Sequence, residues 1–353
     1  MSQLVMGLRA ASTTTVDSRE YRFSFHGIPF RFCSSSASLL LSSIAAWIRA
    51  VDCGEMKGDV SLTVHFEQVS SREAVPVFLS TGVRRVFSGT MPALGNSLRA
   101  LWQCDLYRDA ERLVVDVRDQ GVLLIDRNRG AASGYFYGPE TMAPDRLETF
   151  FHYAMIELLK GKNIFPLHAA ALESQGKGVL LHGPNGCGKT TAMLSLLRSG
   201  YRYLGDDLPL LREYDPTQRL LATSLNIDVT DHTIEMIPEL RTAGVGLLQQ
   251  GAYRKSFHAE DVYPGSRGRS CEPAMILFPQ VTNISHSCLE PLGKSLALEA
   301  LVQREAYSRD AETAAQEFQV LAKLVQRAAC YRLHFGRDVL DLPRLITPLL
   351  ERH

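Results

Sequence analysis

The hydrophobic pattern changes character once along the chain. In the first 142 residues, apolar and polar positions alternate, as in YRFSFHGIPFRF (21–32) and RLVVDVRDQGVLLIDRN (112–128). This period of two predicts half-buried β-strands, and His26-Gly27 at the centre of the first run predicts a hairpin turn. We therefore predict a β-rich (α+β) N-terminal domain over residues 1–142, with mainly antiparallel strands and one helix.

After residue 142 the apolar positions first follow helical spacing. DRLETFFHYAMIELLKGK (145–162) predicts one amphipathic helix. Short apolar strands then alternate with helices, in the order PLHAAAL, GVLLH, the segment after Lys189, and YRYLG. Because such alternation is typical of α/β proteins, we predict an α/β domain over residues 143–353.

A glycine-rich segment follows the strand GVLLH. Residues 183–190, GPNGCGKT, match G-x-x-x-x-G-K-[ST], and TTAMLSLLRSG predicts the helix that this motif requires. Glycines let backbone N–H groups approach a phosphate, and the positive end of the helix dipole faces the same anion. The α/β domain is therefore predicted to be a P-loop nucleotide-binding domain. We call residues 183–188 the glycine loop.

The same motif predicts the cofactors. Lys189 adds a positive charge for the β- and γ-phosphates of a nucleotide, and the Thr190 hydroxyl can complete the coordination of Mg²⁺. The predicted cofactor-binding residues are Gly183, Asn185, Gly186, Cys187, Gly188, Lys189, Thr190 and Thr191. The alternative is a glycine-rich turn between a strand and a helix, without a ligand.

Two aspartates, Asp206 and Asp207, close the strand YRYLG. Neighbouring parallel strands present their C-terminal ends at one edge of a sheet, where ligands bind. We therefore expect both carboxylates beside the phosphates. One can hold the metal while the other accepts a proton from an attacking hydroxyl. The alternative is a solvated Asp-Asp turn without a role in chemistry.

The order His168, fourteen residues, GxxxxGKT, a helix ending in glycine and a strand ending in DD resembles the core of the HPr kinase/phosphorylase family. It is more distantly similar to ATP-type phosphoenolpyruvate carboxykinase. The resemblance covers about residues 165–212. It implies that Lys189 and Thr190 bind ATP and Mg²⁺, that Asp206 is the catalytic base and that Asp207 assists at the metal. It also implies that His168 approaches the reacting phosphoryl group.

The sequence departs from that family in three respects. Thr191 stands where HPr kinases carry Glu, and neither their protein-binding loop nor their N-terminal domain is recognisable. The resemblance therefore implies a kinase that acts on a hydroxyl other than that of HPr, such as a serine of a peptide or protein. It also suggests a homo-oligomer.

Other residues carry weaker signals. His168 alone would be interpreted as a packed core residue. Arg254-Lys255 follow a glycine and could supply charge to a transferred phosphoryl group, or form a solvated basic loop. SRGR (266–269) could order on a phosphate or an acceptor peptide, or be a plain surface loop. The histidines show no metal-ligand spacing.

Composition narrows the class of protein. The 353 residues are 45% hydrophobic and 22% charged, with 38 basic and 38 acidic residues. Zero net charge argues against a general nucleic-acid or membrane-surface binder. Seven cysteines without a CxxC pair argue against a disulfide scaffold or structural zinc, so we expect a reducing cytoplasm. The N-terminus lacks the apolar core of a signal peptide, and the longest apolar stretch (37–48) is too short to span a bilayer.

The sequence thus predicts an ATP- and Mg²⁺-dependent kinase, with Asp206, Lys189 and His168 as catalytic residues and Thr190 and Asp207 as metal ligands. Its expected partners are a nucleotide and a peptide or protein acceptor. Two alternatives remain open at this point. One is a regulatory or assembly NTPase without a phosphorylated acceptor, and the other is a non-catalytic nucleotide-binding module.

Overall fold

The chain divides into two compact units, Met1–Asn163 (unit 1) and Ile164–His353 (unit 2). The computed structural model describes residues 19–35, 41–51, 58–76, 83–92, 101–109, 112–138, 144–206, 208–214, 216–223, 226–242, 248–250, 254–303 and 310–352. Among the described helices, none combines the length and the hydropathy that a membrane span needs.

The described strands of unit 1 form one eight-stranded sheet in the order β1-β2-β3-β8-β7-β6-β5-β4. In chain order the elements are β1 (Arg19–Phe25), β2 (Ile28–Ser34), α1 (Ser42–Val51), β3 (Leu62–Gln68), the 3₁₀ turn Arg72–Ala74, β4 (Arg84–Pro92), β5 (Leu101–Arg108), β6 (Arg112–Val117), β7 (Gly121–Asp126), β8 (Ala131–Phe136) and α2 (Pro144–Lys160).

The predicted hairpin at the start of unit 1 is confirmed. Phe25 of β1 pairs with Ile28 of β2, so the loop contains only His26 and Gly27. Both adopt positive φ, 49° and 80°, as a type I′ hairpin turn requires. The expectation of mainly antiparallel pairing is also confirmed for the described strands, with one exception: β3 is parallel to β2 and to β8. Because α1 lies between β2 and β3, it carries the chain back across the sheet before β3 begins.

Aromatic side chains tie α2 to unit 1. The ring of Phe151 lies 5.1 Å from that of Phe32, and the ring of Phe150 lies 4.6 Å from that of Trp102. At the end of α2, the buried carboxylate of Glu157 binds Lys160 at 2.8 Å and also Arg127 from the turn after β7. The division of the chain therefore falls after Asn163, beyond the position near residue 142 that the sequence pattern suggested.

One buried histidine lies in this aromatic cluster. His152 of α2 packs against Trp47 of α1, with 4.9 Å between ring centroids. Burial lowers the pKa of His152 to about 4, from an ordinary value of 6.5. The unfolded chain therefore takes up a proton at a higher pH than the folded chain does. The contribution of His152 to the stability of unit 1 is therefore fully present above pH 6.5 and is lost as the pH falls towards 4.

We expect His152→Phe to remove this pH dependence. From pH 7 to pH 4.5, wild-type unit 1 should lose about 2.5 kcal/mol of unfolding free energy relative to the variant, since one pKa unit corresponds to about 1.36 kcal/mol. Urea unfolding can be followed by tryptophan fluorescence, because both tryptophans, Trp47 and Trp102, lie in unit 1. Parallel pH profiles for the two proteins would contradict the prediction.

Unit 2 is a mixed α/β unit. Its elements are β9 (Ile164–Pro166), β10 (Ala169–Ser174), β11 (Lys177–His182), α3 (Lys189–Leu197), β12 (Arg202–Gly205), β13 (Leu210–Tyr214), β14 (Thr217–Leu221), β15 (Asn226–Val229), α4 (Asp231–Met236), α5 (Pro238–Thr242), β16 (Leu248–Gln250), β17 (Arg254–His258), α6 (Ala259–Val262), β18 (Ser270–Val281), β19 (Cys288–Pro291), α7 (Lys294–Val302), α8 (Ala311–Arg327), β20 (Ala329–Phe335), the 3₁₀ turn Val339–Asp341 and α9 (Leu342–Arg352).

The described strands of unit 2 form two sheets. The main sheet has the order β12-β10-β11-β18-β14-β13-β9, with β20 beside β18 and β19 beside β20, and β15, β17 and β16 form a small separate sheet. β11, β18 and β20 are parallel. β10 is antiparallel to both of its neighbours, β11 and β12.

Apolar side chains cover both faces of the main sheet. Val179 and Leu181 of β11 belong to one buried cluster, together with residues of α3 and α9. Leu180, between them, belongs to a second cluster with residues of α7 and α8. Because successive strand residues point to opposite faces, this alternation places β11 at the centre of a helix–sheet–helix sandwich. The predicted α/β class of unit 2 is confirmed.

Candidate functional site

The glycine loop connects the buried strand β11 to helix α3. Gly188 caps α3 with φ at 98°, a left-handed conformation that favours glycine. Position 183 favours glycine because space is limited there: a β-carbon would lie 2.9 Å from Sγ of Cys187. Cys187 is only 9% exposed, so its side chain packs under the loop. Asn185 and Gly186 are exposed at the tip.

Lys189 begins α3 and turns back over the loop. Its ammonium group donates to the carbonyl oxygens of Gly183, at 2.8 Å, and Pro184, at 3.3 Å. The residue is only 6% exposed. Gly188 provides no side-chain cap for the helix. The N-terminal end of the α3 dipole and a buried positive charge therefore meet at the glycine loop.

Thr190, in the first turn of α3, links this helix to the end of β12. Its hydroxyl donates to Oδ2 of Asp206 at 3.2 Å, and both residues are half-buried. Asp206 therefore contacts the first turn of α3, directly after the glycine loop, and its expected position beside bound phosphates stays a prediction. Asp207, the other predicted carboxylate, lies outside the described residues.

The strand order that brings these groups together differs from the expected one. β11 and β12 are not neighbours, because β10 lies between them and pairs Ala169 with His182 and Ala171 with Gly205. Since β10 is antiparallel to both, its first residue lies at the edge where β11 and β12 end. Half-buried His168 immediately precedes β10. The glycine loop, Asp206 and His168 thus lie at one edge of the sheet, and His168 lies at the start of its strand whereas the other two follow the ends of theirs.

Thr191 lies deeper than the other predicted residues. It is 8% exposed, and its Oγ1 is 3.4 Å from Oγ1 of Thr233 in α4. Thr230 caps α4 by accepting a hydrogen bond from the Thr233 N–H at 3.3 Å. These two threonines were not identified from the sequence, although a Thr just before a short helical segment is an N-cap signal that could have indicated them.

The two basic segments have local partners. Nζ of Lys255 bonds Oδ1 of Asp231 at 2.8 Å, and the Arg254 side chain lies outside the described part of the structure. Along SRGR, Tyr203 N donates to the Ser266 carbonyl at 2.6 Å, and Gly268 N donates to the Tyr203 carbonyl at 2.9 Å. The segment therefore lies along β12 as an ordered edge rather than as a free loop.

No three His, Cys, Asp or Glu side chains in the described residues converge as a preformed metal site. Two side-chain oxygen ligands nevertheless meet just after the glycine loop, the Thr190 hydroxyl and the Asp206 carboxylate. Mg²⁺ prefers such hard oxygen ligands and is commonly bound through one or two carboxylates together with substrate phosphates and water. This donor set fits Mg²⁺ delivered with a nucleotide.

The fold and the site define a mixed α/β protein with a glycine-rich loop, a buried lysine and a carboxylate at one sheet edge. No protein-family model and no curated protein matches the sequence. Among solved structures, the HPr(Ser) kinase/phosphatase from Coxiella burnetii is similar, with a TM-score of 0.28 and 14% identity over 53% of this chain and 95% of that chain. A likeness of this size does not carry a functional argument, which rests on the geometry above.

Proposed function

We propose that the protein is an ATP- and Mg²⁺-dependent phosphotransferase that acts on a hydroxyl, such as a serine of a peptide or protein. The observation that carries this proposal is the hydrogen bond from Thr190 to Asp206. It joins the first turn of α3 to the end of β12. A carboxylate suited to proton transfer therefore lies directly beside a loop suited to phosphate.

The glycine loop and Lys189 support phosphate binding. The loop supplies backbone N–H groups, and the N-terminus of α3 adds its positive dipole end. An ammonium group has three N–H donors, and the loop carbonyls take two from Lys189. The remaining donor can bind a phosphate oxygen, so Lys189 can tie the nucleotide to the loop without leaving it.

Thr190 and Asp207 are the residues that would hold Mg²⁺, and the Thr190 hydroxyl in turn donates to Asp206. The ion, when bound with ATP, neutralises the charge that develops on the transferred phosphoryl group. Asp206 also accepts the proton of the acceptor hydroxyl. The acceptor oxygen then forms a bond to the γ-phosphorus as the bond to the bridging oxygen breaks, and ADP leaves. His168, at the same edge, provides a contact to the phosphoryl oxygens.

Transfer of a labelled phosphate tests the proposal. The purified protein is incubated with γ-labelled ATP, Mg²⁺ and lysate from its own source. We expect a labelled peptide or protein whose label survives acid and is lost in alkali, as for a serine phosphate. A parallel reaction with α-labelled ATP should give no label. Hydrolysis of ATP without any labelled acceptor would contradict kinase activity and indicate an NTPase. Tight ATP binding without turnover would indicate a binding module.

A further inference from the structure

Two exposed apolar side chains lie at and just after the end of β18, and the first of them, Val281, is beside the glycine loop. Val281 is 60% exposed and Ile284 is 37% exposed. A β-carbon at Gly188 would lie 3.6 Å from Cγ2 of Val281 and 3.4 Å from the Phe335 ring. Val281 therefore borders the N-terminus of α3, where the phosphates of a nucleotide are expected.

Hydrogen bonds connect the loop after β18 to the segment after β20. Thr282 donates to the Phe335 carbonyl through its N–H at 3.0 Å and its hydroxyl at 3.1 Å. Arg337 donates through its backbone N–H to the Ile284 carbonyl at 3.2 Å and through Nη2 to Oδ1 of Asn283 at 3.1 Å. These bonds hold the exposed side chains in a defined arrangement. We call Val281, Asn283, Ile284 and Arg337 the edge platform.

A second set of bonds braces the same two segments. Oδ1 of Asp338 accepts from both the N–H and the hydroxyl of Ser287, each at 2.7 Å. Oγ of Ser287 in turn accepts a hydrogen bond from the N–H of Gly336 at 2.9 Å. A β-carbon at Gly336 would lie 2.8 Å from Ser287 N, so the segments approach too closely for any larger residue. The edge platform is therefore built before a ligand arrives, which lowers the entropic cost of binding.

The sheet order gives the direction of a bound nucleotide. The glycine loop follows β11, Asp206 follows β12 on one side of it, and the edge platform follows β18 and β20 on the other side. If the transferred phosphoryl group faces Asp206, the rest of the nucleotide extends towards β18 and β20. The edge platform lies in that direction.

We propose that the edge platform binds the nucleoside half of the nucleoside triphosphate whose phosphates occupy the glycine loop. The inference rests on the proposed function, because it requires phosphates at that loop. Ligand sites combine apolar surface with a few fixed polar groups. Val281 and Ile284 supply the apolar surface, the Asn283 amide supplies N–H donors, and the planar Arg337 guanidinium can stack on an aromatic base.

Two ligands separate the nucleoside from the phosphates: the non-hydrolysable imido analogue of ATP and inorganic tripolyphosphate, each with Mg²⁺. We expect the wild-type protein to bind the analogue more tightly than tripolyphosphate by about tenfold, in titration calorimetry. The double variant Val281→Ser with Arg337→Ala should raise the Kd of the analogue by about tenfold and leave the Kd of tripolyphosphate unchanged.

The control variants change one exposed apolar residue and one exposed arginine elsewhere in unit 2. Leu296→Ser alters an apolar side chain that is 56% exposed on α7. Arg202→Ala removes an arginine whose side chain is 60% exposed, at the end of β12 opposite Asp206. Both should bind the two ligands as wild type does. Unchanged melting temperatures would show that all variants are folded.

Each contrary result has a distinct meaning. If the wild-type protein binds both ligands equally, or if the double variant weakens neither or both, the edge platform does not hold the nucleoside, whereas the proposed function stands. If the wild-type protein binds neither ligand, the glycine loop is not a phosphate site, and both proposals fall.

Discussion

Lys189→Ala should decrease the ATP-dependent labelling of the acceptor by about 100-fold or more. A 100-fold decrease corresponds to about 2.7 kcal/mol of transition-state stabilisation. The wild-type ammonium group lies on the carbonyl oxygens of Gly183 and Pro184. Its loss removes the positive charge at the mouth of the glycine loop. Charge-assisted hydrogen bonds to phosphate are stronger than neutral ones, so both binding and turnover should decrease. Transfer of label from γ-labelled ATP measures the effect.

A second lysine serves as the control that separates phosphate binding by Lys189 from a general change in the charge of unit 2. Lys323 lies on α8, with its side chain 46% exposed and paired with Glu213. Lys323→Ala removes the same charge from unit 2 and should leave labelling at the wild-type level. Circular dichroism melting of both variants checks that the loop still folds once its two carbonyls lose the Lys189 donor. Wild-type labelling by a folded Lys189→Ala protein would show that the glycine loop does not bind the transferred nucleotide.

Asp206→Asn should retain nucleotide binding and lose turnover by about 100-fold or more, the range typical of general-base catalysis. Asparagine has nearly the same shape as aspartate, and its carbonyl oxygen can still accept the hydrogen bond from the Thr190 hydroxyl. The contact between α3 and β12 therefore persists. What the amide cannot do is accept a proton from the acceptor hydroxyl. Calorimetry with the imido analogue measures binding, and initial rates of phosphate transfer measure turnover.

Asp261, exposed on α6, provides the control for this substitution. Asp261→Asn changes charge and shape in the same way and should leave both measurements unaltered. Turnover at the wild-type level in Asp206→Asn would remove Asp206 from the role of base. Loss of nucleotide binding together with turnover would instead assign Asp206 to holding the nucleotide or its metal.

Several elements followed from local pattern. The hairpin around His26-Gly27 and the helix near 145–162 form as predicted, and GVLLH and YRYLG are strands. These elements can be predicted from short segments, because alternation, helical spacing and glycine turns depend only on residues that are close in sequence. The parallel pairing of β3 carried no such signal, since the residues of β2, β3 and β8 that meet are far apart along the chain.

For the candidate site, the sequence identified the glycine loop, Lys189, Thr190 and Asp206. Gly-x-x-x-x-Gly-Lys-Thr constrains the backbone within a few residues, so its consequences are local. The assignment of these residues to the binding of ATP and Mg²⁺ stays a prediction. The Thr191–Thr233 contact was missed because α4 approaches α3 from 42 positions further along the chain. The edge platform was also missed, because β18 and β20 are far apart in sequence and become neighbours only in the folded sheet.

The amino-acid order by itself therefore predicted several local properties: the hairpin around His26-Gly27, helix α2, and the strand, glycine turn and helix of residues 178–199, with anion binding by that turn still a prediction. Those properties depend on side-chain shape, backbone freedom and spacing over a few residues. Only the tertiary structure decided that β10 separates β11 from β12, that α2 packs within unit 1, and that Val281 and Arg337 lie at the edge next to the glycine loop. Contacts between segments that are far apart in sequence depend on the apolar surface that the whole unit buries. No single segment of the sequence carries that information.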